Sequence, residues 1–146
     1  MILTKTLESK HQALRKNLLR ADKLLNDQLR GFLSPYGVTF KQWDILKILA
    51  EHQEEKPPTI LEVSMKMIDD SDTSRIIDRL VKKGFLNKIP CSMDKRVTRI
   101  VIEDSGRQLV NKITKNLDSL DQSFNHLNPS EIDQLNRLLK KLINRS

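Results

Sequence analysis

Leucines punctuate the N-terminal part of the chain at helix and heptad intervals: Leu7, Leu14, Leu18, Leu25 and Leu29, with Phe32 closing the series. Apolar positions three, four and seven apart fall on one side of a helix, so the pattern predicts a helix from about Thr4 to Phe32. Gly31, Pro35 and Gly37 are expected to end it. The apolar stripe is narrow and the other faces are charged. Such a stripe is buried against its own chain or against a second one, and the pattern leaves both open.

Further elements follow from start and stop signals. Thr39 to Gln42 has the T-x-x-Q form of a capping box and opens a helix carrying Trp43, Ile45, Leu46, Ile48 and Leu49. A polar loop, EHQEEKPP, precedes a second box, Thr59 to Glu62, and a short helix TILEVSMKMI. Asp69 to Asp72 form a polar break able to cap a helix from about Asp72 to Lys83, which Gly84 stops. Two strand-like runs, FLNKIPC and VTRIVI, flank a turn, and Pro90 confines the first to a sheet edge. After Gly106, Leu109, Ile113, Leu117, Leu120 and Phe124 predict one long helix. Asn128-Pro129-Ser130-Glu131 is a helix start for a last segment with Ile132, Leu135, Leu138, Leu139, Leu142 and Ile143. The fold class is therefore mainly α with a small β-hairpin, and 146 residues without a linker suggest a single domain.

Composition narrows the partners. Twenty-six Lys and Arg against 19 Asp and Glu leave a net charge of +7, which favours an anionic partner, nucleic acid before an acidic membrane surface. One cysteine, Cys91, excludes an internal disulfide. The N-terminus lacks the form of a secretory signal and no apolar run approaches the length that spans a bilayer. A soluble cytoplasmic protein is expected.

The charge is not spread evenly. Between Arg75 and Arg99 stand Arg75, Arg79, Lys82, Lys83, Lys88, Lys95, Arg96 and Arg99 against only Asp78 and Asp94. In the helix DTSRIIDRLVKK, Ile76, Ile77, Leu80 and Val81 form the buried stripe; Asp72, Thr73, Arg75, Asp78, Arg79 and Lys82 occupy the other face. Short polar donors at the tip and a basic flank suit a helix that enters a major groove, where Arg pairs with guanine O6 and N7. The preceding short helix completes a helix-turn-helix. The turn SMDKRVTR then projects as a basic wing, with Arg96 placed to reach a minor groove and Asp94 expected to pair with its guanidinium.

With these segments in view, the sequence resembles the MarR family of winged-helix regulators, named for multiple antibiotic resistance. The matching stretches are TFKQWDILKIL (Thr39 to Leu49), DTSRIIDRLVKKGFL (Asp72 to Leu86), DKRVTRIVIEDSGRQLV (Asp94 to Val110) and the SEIDQLNRLL tail, together spanning nearly the whole chain. The resemblance implies one MarR-like domain over residues 1–146. Residues 39–103 would form the winged helix-turn-helix, and residues 1–34 and 104–146 the dimerisation helices. It implies a homodimer on a pseudo-palindromic double-stranded operator, acting as a repressor relieved by a small ligand. DNA contacts carry over to Thr73, Ser74, Arg75 and Arg79, with Lys82 on the same helix (about 72–83), and to Asp94, Lys95 and Arg96 in the wing (about 92–97). The dimer interface is expected at Leu7, Leu14, Leu18, Leu117, Leu120, Leu135, Leu138 and Leu142. Phe32, Tyr36 and Trp43 are the candidates for a ligand site, which the sequence does not otherwise locate. Two departures stand out. TILEVSMKMIDDSD lacks the small Ala and the Gly common around the family's turn, and Glu103 replaces the usual capping Thr.

Other chemistry is sparse. His11, His52 and His126 have no metal-ligand spacing, and no metal or cofactor is expected. No phosphate loop, nucleophile elbow or Cys–His motif is present, which argues against an enzyme. Cys91 is expected to pack at the hairpin base rather than sense oxidants. The competing function is a winged-helix adaptor that binds protein instead of DNA; the dense basic surface argues against it.

Overall fold

A computed structural model describes the backbone of residues 2–144 and the side chains of residues 9–144. Among the described residues, seven helices and one hairpin follow in order: α1 (Ile2–Leu33), α2 (Phe40–Glu51), α3 (Ile60–Lys66), α4 (Thr73–Lys82), β1 (Leu86–Pro90), β2 (Thr98–Ile102), α5 (Asp104–Lys115), α6 (Leu117–Asp121) and α7 (Pro129–Ile143). Residues up to Thr114 form one compact unit and those from Lys115 a second.

In the first unit, local chemistry sets each boundary. Helix α1 runs through Gly31 and ends in a 3-10 turn, Ser34–Tyr36, where Gly37 adopts a left-handed φ of 70° and its N–H bonds Ser34 O. The stop is thus Pro35 and Gly37, without Gly31. Thr39 and Gln42 form the full reciprocal capping box of α2. The second box is half made: Thr59 Oγ1 accepts from the Glu62 N–H at 3.1 Å. Helix α4 ends as expected at Gly84 (φ 83°), whose N–H bonds Val81 O while the Phe85 N–H bonds Leu80 O, a Schellman closure.

The core of this unit joins α2 (Trp43, Ile45, Leu46, Leu49), α3 (Val63) and α4 (Ile76, Ile77, Leu80) to Leu86 and Ile100 of the hairpin and Val110 and Ile113 of α5. Full burial of such side chains stabilises by roughly 1.5–3 kcal/mol each. The strands pair antiparallel, Leu86 opposite Ile102 and Pro90 opposite Thr98. Pro90 therefore sits at a strand end, where its missing N–H is tolerated. The hairpin is anchored to the loop before α3 by the Ile100 N–H on Pro58 O. Gly106 lies in the first turn of α5 against the hairpin end; a Cβ there would stand 2.6 Å from Phe85 O and 2.8 Å from Ile102 Cγ1.

The long helix expected after Gly106 is divided. Helix α5 begins earlier, at Asp104, and ends at Lys115; Leu117 and Leu120 lie in α6, and Phe124 in the 3-10 turn Gln122–Phe124. Asn116 leaves helical geometry (φ −107°, ψ 7°), and both the N–H and the hydroxyl of Ser119 bond to its carbonyl. Asn and Ser compete locally with the helical ladder in this way, and apolar spacing alone does not register it. Within the second unit α7 starts with the expected capping box, Asn128 with Glu131, and Pro129 at its first position.

Candidate nucleic-acid interface

Helices α3 and α4 are joined by a turn built from its own acids. The Asp69 carboxylate accepts from the Ser71 N–H (3.0 Å) and hydroxyl (2.7 Å) and pairs with Lys41 Nζ at 3.1 Å. The Ser71 hydrogen bonds, helped by Lys41, hold its pKa down to about 2. Asp72 precedes α4 in a left-handed conformation (φ 62°) and makes no side-chain cap. The expected acidic cap is therefore absent: the carboxylate that organises the turn is Asp69, acting on Ser71.

Thr73 also differs from expectation. It is 6% exposed, and its hydroxyl donates to Asp70 O at 2.6 Å and lies 3.4 Å from Met67 Sδ. Its polar group is engaged inside the turn, because a buried hydroxyl is stable only with a partner. The exposed residues of α4 are Ser74, Arg75, Asp78, Arg79 and Lys82, while Ile76, Ile77 and Leu80 face the core.

The cations of this segment divide into two groups. Lys83 Nζ turns inward to Gly37 O (2.8 Å) and Gln42 Oε1 (3.3 Å), fastening the end of α4 to the start of α2. Lys88 of β1 pairs with Asp78 of α4. Arg99 of β2 donates to Pro57 O at 2.6 Å. The side chains of Arg75, Arg79, Lys82, Lys95 and Arg96 are exposed and make no hydrogen bond or ion pair among the described residues.

The hairpin tip is ordered by backbone bonds. The Cys91 N–H reaches Val97 O and the Val97 N–H reaches Asp94 O. Asp94 Oδ1 accepts from the backbone N–H of Arg96 at 3.0 Å. The expected Asp94–Arg96 side-chain pair is thus corrected: a carboxylate two residues upstream closes an Asx turn on the main chain, and no ion pair joins it to the guanidinium. Cys91 is partly exposed beneath the tip. The nearby backbone N–H groups of Asp94 and Met93 lower its thiol pKa, with Arg99 adding to the effect.

A cleft of about 780 Å³ runs along the unit between the end of α1, the start of α2 and α4, lined among others by Arg30, Lys41, Arg75, Arg79 and Lys83. Sequence reasoning did not single out Arg30, because charge on α1 is ordinary for an exposed helix. The ligand candidates lie elsewhere. Phe32 and Tyr36 contact one another (ring centroids 5.9 Å) and Trp43 packs edge-on to Phe40, and none of the three lines this cleft. The Trp43 indole N–H is buried without a hydrogen-bond partner among the described residues. Among the described residues no cluster of metal-binding side chains occurs, and no helix is long and apolar enough to cross a membrane.

Of the residues expected at a dimer interface, Leu7 lies outside the described side chains. Leu14 on α1 is exposed and Leu18 partly so. In the second unit Leu117 and Leu120 are half-buried, and Leu135, Leu138 and Leu142 remain between 39% and 49% exposed on one stripe of α7.

Three helices ending in α4, followed by a two-stranded hairpin with a basic tip, define a winged helix-turn-helix protein. The MarR family model matches residues 38–98. YsmB of Bacillus subtilis, named as an uncharacterized helix-turn-helix-type transcriptional regulator, is 30% identical over 129 residues, 87% of this chain and 86% of its own. The chain belongs to the MarR family, and its class of activity is transcriptional regulation rather than catalysis. The regulator PecS of Dickeya dadantii is 29% identical over 101 residues, 67% of this chain but only 60% of PecS. A mutant MarR from E. coli, in a crystal with operator DNA, has the same fold: TM-score 0.80 at 24% identity, covering 89% of this chain and 93% of MarR.

Proposed function

We propose that the protein is a cytoplasmic repressor that binds a pseudo-palindromic operator as a homodimer. Residues 39–103 read the DNA, and residues 1–34 and 104–146 join the two chains. Helix α4 lies in the major groove with Ser74, Arg75, Arg79 and Lys82 toward bases and phosphates. The turn at residues 92–97 lies in the flanking minor groove, with Lys95 on phosphate and Arg96 in the groove. The observation that carries this reading is the division of the cations. Those on the outer face of α4 and the hairpin tip have no internal partner, while Lys83, Lys88 and Arg99 brace the scaffold that presents them. The apolar stripe left exposed on α7 supports the dimer. The orphan Trp43 N–H supports a small effector with a hydrogen-bond acceptor, because a buried donor without a partner is costly.

The test is a gel shift on the promoter beside the gene. Arg75→Ala and Arg96→Ala are each expected to weaken binding by about 1–3 kcal/mol. Unchanged binding in both variants would remove the assignment. Light scattering is expected to give a dimer at micromolar concentration, and a monomer would remove the symmetric operator.

A further inference from the structure

Met93 sits at the tip of the hairpin and is 92% exposed, the most exposed of the large apolar side chains among the described residues. Its neighbours Ser92, Asp94, Lys95 and Arg96 are polar and exposed too, so no apolar patch explains it. Nor is it loosely held. The Cys91–Val97 backbone bond, the Asp94–Val97 bond and the Asx turn on Arg96 close the tip. The thioether is therefore presented to solvent on a constrained turn, three residues from Arg96.

Resting on the reading of residues 92–97 as a minor-groove wing, we propose that Met93 is a specificity-determining residue. Its side chain lies along the groove floor beside Arg96 and selects A·T over G·C base pairs. The floor of an A·T pair offers only the adenine N3 and thymine O2 acceptors, whereas G·C adds the guanine N2 amino group. That amino group donates a hydrogen bond and projects into the groove. An unbranched thioether covering it strips its water and supplies only a weak acceptor, so the donor is left unsatisfied. Over A·T the same side chain meets a smoother, narrower floor and gains apolar contact with the deoxyribose walls. Arg96 and Met93 divide the recognition between them. The cation responds to the potential of a narrow groove, and the thioether responds to the missing amino group.

Inosine isolates this effect, because an I·C pair lacks the N2 amino group while keeping the major-groove edge of G·C. A duplex is first selected from random sequence by the wild-type protein, and the base pairs under the tip are located by footprinting. Those A·T pairs are then replaced by G·C or by I·C, and affinities are measured for wild type, Met93→Ser, Met93→Leu and Arg96→Ala. Wild type is expected to bind the I·C duplex about tenfold more tightly than the G·C duplex, the scale of one mismatched pair. Met93→Ser is expected to reduce that preference to less than about twofold and Met93→Leu to keep it, in line with an apolar rather than a polar reader. Arg96→Ala should weaken both duplexes. Because Met93 is almost wholly exposed, neither replacement threatens the fold. A Met93→Ser variant with the wild-type preference overturns the proposal while leaving DNA binding intact. A wild type indifferent to I·C and G·C overturns the minor-groove placement of the tip. Failure to select any duplex overturns the DNA-binding reading itself, and this proposal with it.

Discussion

The division of cations into tied and untied groups makes a quantitative prediction about salt. Each phosphate neutralised on B-DNA releases counterions, so log K falls against log salt with a slope of about −0.9 per contact. The segment from Arg75 to Arg99 contains eight cations per chain. If all of them met phosphate, a dimer would have sixteen contacts and a slope near −14, about nine decades of affinity between 50 and 200 mM salt. Three are held internally: Lys83 by Gly37 O and Gln42 Oε1, Lys88 by Asp78, and Arg99 by Pro57 O. The remaining five per chain set a ceiling of ten for this segment, a slope no steeper than about −9 and a loss of about five decades.

Two substitutions separate the groups at equal cost in formal charge. Arg79→Gln removes an untied cation on α4 and should flatten the slope by about 2 per dimer. Lys83→Gln should leave the slope unchanged, and instead lower stability by on the order of 1 kcal/mol through its lost hydrogen bonds. Fluorescence anisotropy over a salt series gives the first quantity and urea unfolding the second. Equal flattening by both variants, or a wild-type slope near −14, would refute the argument that internal bonding decides which cations the DNA meets.

Other consequences are independent of DNA. Gly106→Ala forces a Cβ against Phe85 O and Ile102, with no flexible atom to yield on the carbonyl side, and should cost about 2–4 kcal/mol in urea unfolding. Asp69 has its folded pKa lowered from 3.8 to about 2, so its contribution is complete above about pH 4 and is lost as pH falls through 2; the Tm gap between wild type and Asp69→Asn should be constant from pH 5 to 7 and close below pH 3. Cys91, with its thiol pKa lowered by the Asp94 and Met93 N–H groups, should react with iodoacetamide faster near neutral pH than an unperturbed thiol. An alkylation profile matching free cysteine would contradict that lowering. Asp94→Ala removes the Asx turn, and should loosen the tip, seen as faster amide exchange at Arg96 with the global unfolding free energy unchanged.

Much of the fold was legible because it rests on local chemistry with a fixed address. The capping box at Thr39 and Gln42, the Asn128-Pro129-Glu131 start of α7 and the Gly84 closure of α4 stand where their residues predict. The buried stripe of Ile76, Ile77 and Leu80 follows from helical period alone. The break at Asn116 was not legible, because leucine spacing continues across it while the competing bonds come from Asn116 and Ser119.

The turns around the candidate site differ from the sequence reading in their local bonds, and the differences share one cause. A polar side chain in a short turn has backbone groups within reach, and a one-dimensional pattern cannot say whether it bonds to them or faces outward. Thr73 looks like a donor at the tip of α4, yet Asp70 O takes its hydroxyl. Asp72 looks like a cap, yet its left-handed backbone leaves Asp69 to organise the turn. Asp94 looks like a partner for the Arg96 guanidinium, yet it holds the Arg96 main chain. Each replacement removes a polar group from the surface offered to a ligand and adds rigidity to the turn beneath it. Fewer groups then remain to meet DNA than the sequence advertises, and each is more tightly placed. Binding by pre-positioned groups loses less conformational entropy per contact. On the proposed reading the site gains from the same bonds that shrink its list of cations and donors, and we propose that its affinity rests on Arg75, Arg79, Lys82, Lys95 and Arg96 rather than on total charge.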